Sequence, residues 1–250
     1  MAVIRYLEIR NNDNILVIDD NYKNFALKEN LSLSNYKISV QEQLSAYDES
    51  ILNTIFTGRN YMLVNISPFN VKNLLAIQCD VQDLWFATYI HNGILSIYVM
   101  KDGKNSHNEG DVQYLTSHTK ILRYVPSVEV ISSNKCGIQI FNADGETVFD
   151  SGKKYLKIVG SITHDYDDVS DIDEYYNTRF SVIPFSCSFN ALYNPQIVWY
   201  HRQFFRIRND GNVHKIEGRL KTIYGVPPYD NFIFTGFFYN TNLLVIKEEL

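Results

Sequence analysis

The chain has 250 residues, 45% of them hydrophobic and 14% aromatic, enough to bury a core as one large domain or two small ones. A net charge of -5 and a pI near 5.7, with no Lys/Arg cluster along the chain, argue against nucleic-acid binding, which needs a basic face to release counterions from phosphates. Cys79, Cys136 and Cys187 are too widely spaced for a CxxC metal knuckle and too few for a disulfide framework, and no apolar run approaches the roughly 20 residues of a membrane helix.

The opening MAVIRYLEIRNNDN lacks the basic segment and long apolar stretch of a secretion leader, so synthesis in a cytoplasm is expected. Residues 7–27 (LEIRNNDNILVIDDNYKNFAL) read as a hairpin followed by the start of a third strand: apolar run, turn cluster, second run. Asn11, Asp13 and Asn14 supply the turn, because Asn and Asp bond their own following backbone and Asn tolerates positive φ. Strand alternation continues through 31–40. Between 41 and 56 the spacing changes to Leu44, Tyr47, Ile51, Leu52 and Ile55, which predicts a short helix. Strands follow at 59–66, 74–80, 84–90 and 94–100, with Asn92-Gly93 as a two-residue hairpin turn. The polar residues 101–110 read as a loop tip, and 112–124 and 128–132 as the strands that close a first module.

The pattern of 7–27 then returns at 138–158 without a gap. Ile9 lies over Ile140, Asn11 over Asn142, Asp13 over Asp144, Val17 over Val148 and Asp19 over Asp150, each 131 residues on (140 minus 9). Asn142, Asp144 and Gly145 form the second copy of the turn, with Gly145 in place of Asn14 because glycine takes positive φ at no steric cost. The alternative is a chance likeness between two ordinary hairpins. The duplication predicts an all-β chain of two tandem β-sandwich-like modules, 1–132 and 133–250, with a short helix in the first. A second match, Tyr89 and His91 over Trp199 and His201, has an offset of 110 (201 minus 91) and implies 21 extra residues in module one, assigned mostly to 44–55.

Module two carries strands at 179–189, 196–200, 204–208, 215–223, 232–238 and 243–247, with a turn at Asn209-Asp210-Gly211. Its acidic run at 164–177 contains Asp165, Asp167, Asp168, Asp171, Asp173 and Glu174. Six carboxylates could feed a Ca²⁺ loop, but the glycine and terminal glutamate of an EF-hand are missing; a solvated loop facing a basic partner is the other reading. His91 and His201 at matching places could be ligands, or polar residues beside turns. No nucleophile elbow, phosphate loop, zinc-protease or dinucleotide motif occurs, so no catalytic residue, cofactor or metal ligand is assigned.

Residues 137–151, GIQIFNADGETVFDS, continued by Tyr155-Leu-Lys-Ile-Val159, resemble the opening of a family of uncharacterised tailed-bacteriophage structural proteins encoded near tail-tip and tail-fibre genes. The likeness is weaker over 7–27, where Arg10 stands for the aromatic and Asn14 for the glycine. The resemblance implies a non-enzymatic virion component of the tail or tail tip that assembles with other virion proteins. It also implies a homo-oligomer, a trimer or a hexamer ring, in which three copies of a duplicated chain present six like modules. Two alternatives stay open: a carbohydrate-binding module that recognises a host surface glycan, and a polysaccharide-active enzyme.

Overall fold

The hairpin that first signalled a repeat pairs its strands in the same register in both places. A computed structural model describes residues 8–10, 16–19, 24–40, 61–70, 72–104, 107–130, 137–141, 144–165, 171–187, 189–194, 197–226 and 240–248. Strand β1 (Glu8–Arg10) pairs with β2 (Leu16–Asp19) as Glu8 with Asp19, Ile9 with Ile18 and Arg10 with Leu16. Its counterpart, β10 (Gln139–Phe141) with β11 (Thr147–Asp150), pairs Gln139 with Asp150, Ile140 with Phe149 and Phe141 with Thr147. Every pair is displaced by 131 (139 minus 8), and the register slips at the same place in both.

The remaining strands of the first half are β3 (Phe25–Ser32), β4 (Ile38–Val40), β5 (Met62–Ile66), β6 (Leu74–Cys79), β7 (Leu84–His91), β8 (Ile94–Lys101) and β9 (Thr119–Pro126). Those of the second are β12 (Ile158–His164), β13 (Ile172–Tyr176), β14 (Phe180–Ser186), β15 (Phe189–Asn194), β16 (Ile197–Asp210), β17 (Val213–Val226) and β18 (Thr241–Lys247). They build a six-stranded sheet in the order β12-β18-β14-β6-β9-β3 and an eight-stranded sheet in the order β13-β17-β16-β7-β8-β5-β4, with β15 also on β16. The fold is thus all-β and sandwich-like.

Read outward from the centre, each sheet repeats itself. β3, β9 and β6 mirror β12, β18 and β14; β7, β8 and β5 mirror β16, β17 and β13. Even the bulges correspond: Lys28 is the extra residue where β3 meets β9, and Val159, 131 later (159 minus 28), is the extra residue where β12 meets β18. A 21-residue drop in offset lies between β3 and β5, and residues 44–55, to which the sequence assigned most of it, lie outside the described residues. The offset is 131 at β3 and 110 at β5 (172 minus 62, from Met62 on Val99 and Ile172 on Gly218), and between them the first half carries β4 and residues 41–60.

The match that suggested the drop needs correcting. The β7-β8 turn pairs His91 with Ile94 and the β16-β17 turn pairs Asp210 with Val213, so these hairpins are offset by 119 (210 minus 91). His91 therefore answers to Asp210, and His201 lies mid-strand opposite Asn190 and Thr222. Aromatic-rich strands resemble one another at several offsets, and only the turn fixes which is structural.

The residues on either side of 132 form two sets of strands, and each set supplies half of both sheets. The sets meet antiparallel at Ile77 on Val182 in one sheet and at Phe86 on Phe205 in the other. Phe86 and Phe205 are themselves 119 apart (205 minus 86), so equivalent residues face each other, as a local twofold axis through the sheet requires. One hydrophobic core runs between the sheets through both halves and includes Tyr61, Met62, Phe86, Phe180, Phe204 and Phe205. A second, smaller core lies on the other face of the six-stranded sheet and gathers Ala76, Leu122, Tyr124, Ile183 and Ile246 with Phe25 and Leu156. A bridge of Ala26 to Tyr155, with Leu27 N–H donating to Lys154 O (2.7 Å) and Leu156 N–H to Phe25 O (2.9 Å), ties that sheet's first-half edge to the segment before β12.

Three local expectations change. Residues 109–118 form helix α1 (Glu109–His118), not strand. Asn108 caps it by accepting from Asp111 N–H (3.2 Å), while Asp111 accepts from Asn108 N–H (3.1 Å), a reciprocal box that satisfies two of the first-turn donors. Ser127–Glu129 is a 3-10 turn where strand was expected, following Pro126, whose ring fixes φ. The two runs at 196–200 and 204–208 fuse into the single 14-residue β16. The helix expected at 41–56 and the strand at 232–238 lie outside the described residues. At Asn92-Gly93 the expected turn is present, with φ of +47° and +71°, both positive as a type I′ turn demands. Among the described residues no helix is long and apolar enough to cross a membrane.

Candidate functional site

The second-half hairpin is held at its base. Ser151 Oγ accepts from Ile138 N–H (2.8 Å), Gln139 Nε2 donates to Asp150 Oδ2 (2.8 Å), and Tyr155 Oη accepts from Asp150 N–H (2.7 Å). Phe149 stacks on Tyr155 with centroids 5.3 Å apart, and Lys153 Nζ donates to Ser127 O (2.8 Å) across to the first half. The expected turn residues Asp144 and Gly145 sit exposed at the tip, Gly145 at φ +80°. Asn142, and Asn11, Asp13 and Asn14 of the first copy, lie outside the described residues. What alternation alone does not reveal is that Ile138 and Phe141 face solvent, 67% and 51% exposed. The hairpin forms its own two-stranded sheet, and no further strand of the described residues pairs with it.

The acidic run is a strand rather than a loop over 172–176. β13 pairs with β17 from Ile172 on Gly218 to Tyr176 on His214, and this brings two of the predicted carboxylates to cations of the same chain. Asp173 Oδ1 lies 3.0 Å from Lys215 Nζ and 3.3 Å from Arg219 Nη1; Asp171 Oδ2 lies 3.3 Å from Arg219 Nε. Asp165 accepts from Asn240 Nδ2 (3.0 Å), Glu174 is exposed, and Asp167 and Asp168 lie outside the described residues. The basic partner inferred from the acidic run is therefore, for Asp171 and Asp173, on the neighbouring strand. The sequence offered a signal in Lys215, Glu217 and Arg219, whose period-2 spacing puts all three on one face.

That face carries a longer charge chain. The buried Lys215 lies 3.0 Å from Glu217 Oε1, Arg206 Nε bonds the other oxygen of Glu217, and Arg206 Nη1 reaches Asp102 Oδ2 in the first half (2.8 Å). Arg206 also lies over the Trp85 ring at 4.5 Å, and Trp85 Nε1 donates to Asp102 Oδ1 (2.6 Å). Hydrogen bonding from Lys215 holds the Asp173 carboxyl below its ordinary range. Burial pushes the Glu217 carboxyl up, but Arg206 and Lys215 overcome it and the net shift is downward. The bonds to Asp173 and Glu217 push the Lys215 ammonium up against its own burial. These groups are of opposite charge and mutually bonded, an arrangement that fixes strand register more than it offers a reactive group.

Elsewhere burial pushes the Cys79 thiol up to about 11, away from nucleophilic reactivity. Among the described residues no three His, Cys, Asp or Glu side chains gather as metal ligands. One open cleft of about 650 Å³ lies where the β13-β14 turn, the β16-β17 turn and the end of β18 meet, and it is lined by basic side chains including Lys154, Arg179 and Lys247. No family model, no curated protein and no solved structure matches the chain.

Proposed function

We propose that the protein is a non-enzymatic structural component of a tailed-phage virion, of the tail or tail tip, working by assembly with other virion proteins and with copies of itself. The observation that carries this is the β10-β11 hairpin. It stands outside both large sheets, is pinned at its base, and presents Ile138 and Phe141 to solvent, an exposed apolar pair of the kind that marks protein contacts. The same residues, 137–151, carry the resemblance to phage structural proteins. The internal twofold bears on the expected ring: each copy carries two like halves, so three copies would present six.

The test is negative-stain imaging of phage particles carrying a labelled chain, with Ile138→Asp and Phe141→Asp introduced together. Label at the tail or tail tip is expected, lost in the double variant while the purified chain keeps its melting temperature. Particles that assemble unlabelled, or that retain the variant, would count against the assignment.

A further inference from the structure

A small apolar pocket of about 160 Å³ opens where the two halves join in the six-stranded sheet. Its walls are Leu74 at the start of β6, Ile90 and Leu95 of the β7-β8 hairpin, Phe69 after β5, and Ile183 and Phe185 of β14. Phe69 N–H donates to Gly93 O (2.7 Å), tying the segment after β5 to the β7-β8 turn, and Asn73 N–H donates to Asn70 O (2.8 Å) ahead of β6. The pocket is thus built before anything enters it. β14 pairs Pro184 with Leu243 and Ser186 with Asn242, so Phe185 is an extra residue in the ladder, and a bulge of this kind re-aims a side chain. Leu95 and Ile183 are buried and form the floor, while Phe185, 48% exposed, stands at the mouth.

Size says what such a pocket can hold. A cavity of roughly 150 Å³ lined by leucine, isoleucine and phenylalanine takes up benzene, and the side chain of phenylalanine ends in that ring. The chain displays one: Phe141 on β10 is 51% exposed, and so is not seated in the pocket of its own chain. Charge agrees with size. Thr147, the cross-strand partner of Phe141, follows Glu146, and both Glu146 and Asp144 are exposed acidic residues of the hairpin. The exposed Lys72 precedes Asn73, which lines the pocket, so a hairpin arriving there brings carboxylates toward a cation.

We infer that the pocket receives Phe141 from a second copy of this chain. The inference rests on the reading of the β10-β11 hairpin as an assembly contact, and it names the surface that the hairpin meets. Every copy carries both the ring and the pocket, on different surfaces. The contact is therefore head-to-tail, and repeated from copy to copy it closes into a ring or runs on as a filament. An aromatic anchor in a fitted pocket is the kind of group that dominates the energy of an interface.

Two variants test it. Phe141→Asp removes the ring and Phe185→Asp puts a charge at the mouth of the pocket, both at exposed positions where the melting temperature should hold; Phe185→Ser serves if the aspartate lowers it. In sedimentation velocity the purified full chain should associate more as its concentration rises, and each variant alone should stay monomeric. Mixed in equal amounts, the two should associate again but stop at a dimer, because one keeps only its pocket and the other only its ring. With p-benzoylphenylalanine at position 185, mixed heavy and light chains should crosslink to the other copy's peptide that contains Phe141. Any of four results overturns the inference: a parent chain that stays monomeric, a variant that associates alone as the parent does, a mixture that stays monomeric, or a crosslink to another region. If the label still sits at the tail, those results leave the virion reading standing; an unlabelled tail on a chain that passes all four sinks that reading and not this contact.

Discussion

Replacing Phe205 by alanine tests whether the two halves stand or fall together. Phe205 and Phe86 are both buried, their ring centroids lie 6.0 Å apart with planes tilted by 35°, and they form the pair at which the eight-stranded sheet passes from one half to the other. Truncating a buried phenylalanine costs about 3–5 kcal/mol through lost burial and the cavity left behind. Against a typical total of about 5–15 kcal/mol, that is roughly a fifth or more of the stability. The chain supplies its own reporters, since Trp85 lies in the first half and Trp199 in the second. Urea unfolding followed by fluorescence in Trp85→Phe and Trp199→Phe backgrounds should give coincident transitions, and Phe205→Ala should move both midpoints equally. A cycle with Phe86→Ala should return a coupling of about 0.5–1.5 kcal/mol for the ring pair. If Trp85 reported an unmoved midpoint while Trp199 reported the full loss, the halves would be separate folding units and the shared-sheet argument would fail.

Two further outcomes follow from particular residues. Gly145→Val meets open space, with nothing within 4 Å of its new Cβ, so its cost is backbone strain alone at φ +80°, about 1 kcal/mol or more; amide exchange in β10 and β11 should quicken, and unchanged exchange with an unchanged melt would refute it. The Glu217 carboxyl titrates below its ordinary 4.5 in the folded state, so the unfolded chain takes up the proton first, and the stability it contributes is full above about pH 4.5 and lost as pH falls through the folded value. Glu217→Gln should therefore cost more at pH 7 than at pH 3 in urea titrations, and equal penalties at the two pH values would contradict this reading.

Residues close in the chain made the local elements legible. Period-2 alternation placed most of the described strands, and turn chemistry placed Asn92-Gly93 and Gly145, because a type I′ turn or a positive φ is decided by a few adjacent residues. The repeat was legible for the same reason: hairpin register is set by the turn, so 7–27 and 138–158 had to pair alike. Helix α1 was legible too, in the Asn108 and Asp111 spacing of its capping box, but the apolar residues around it resembled a strand.

Partner choice between distant strands was decided only by the tertiary structure. Nothing in Phe86 or Phe205 specifies the other, since burial rewards any large apolar neighbour and the twofold junction emerges from both sheets closing at once. The acidic run illustrates the consequence: its composition suggested a foreign basic partner, yet antiparallel pairing of β13 with β17 delivers Lys215 and Arg219 to Asp173. The cleft lies further still from sequence reading. Its cations are scattered from Lys154 to Lys247 with no cluster along the chain, and they converge because backbone bonds from two turns and a strand end meet at one corner. Charge is a local property of each residue, but a field is made by geometry, and geometry comes from the packing of the whole chain.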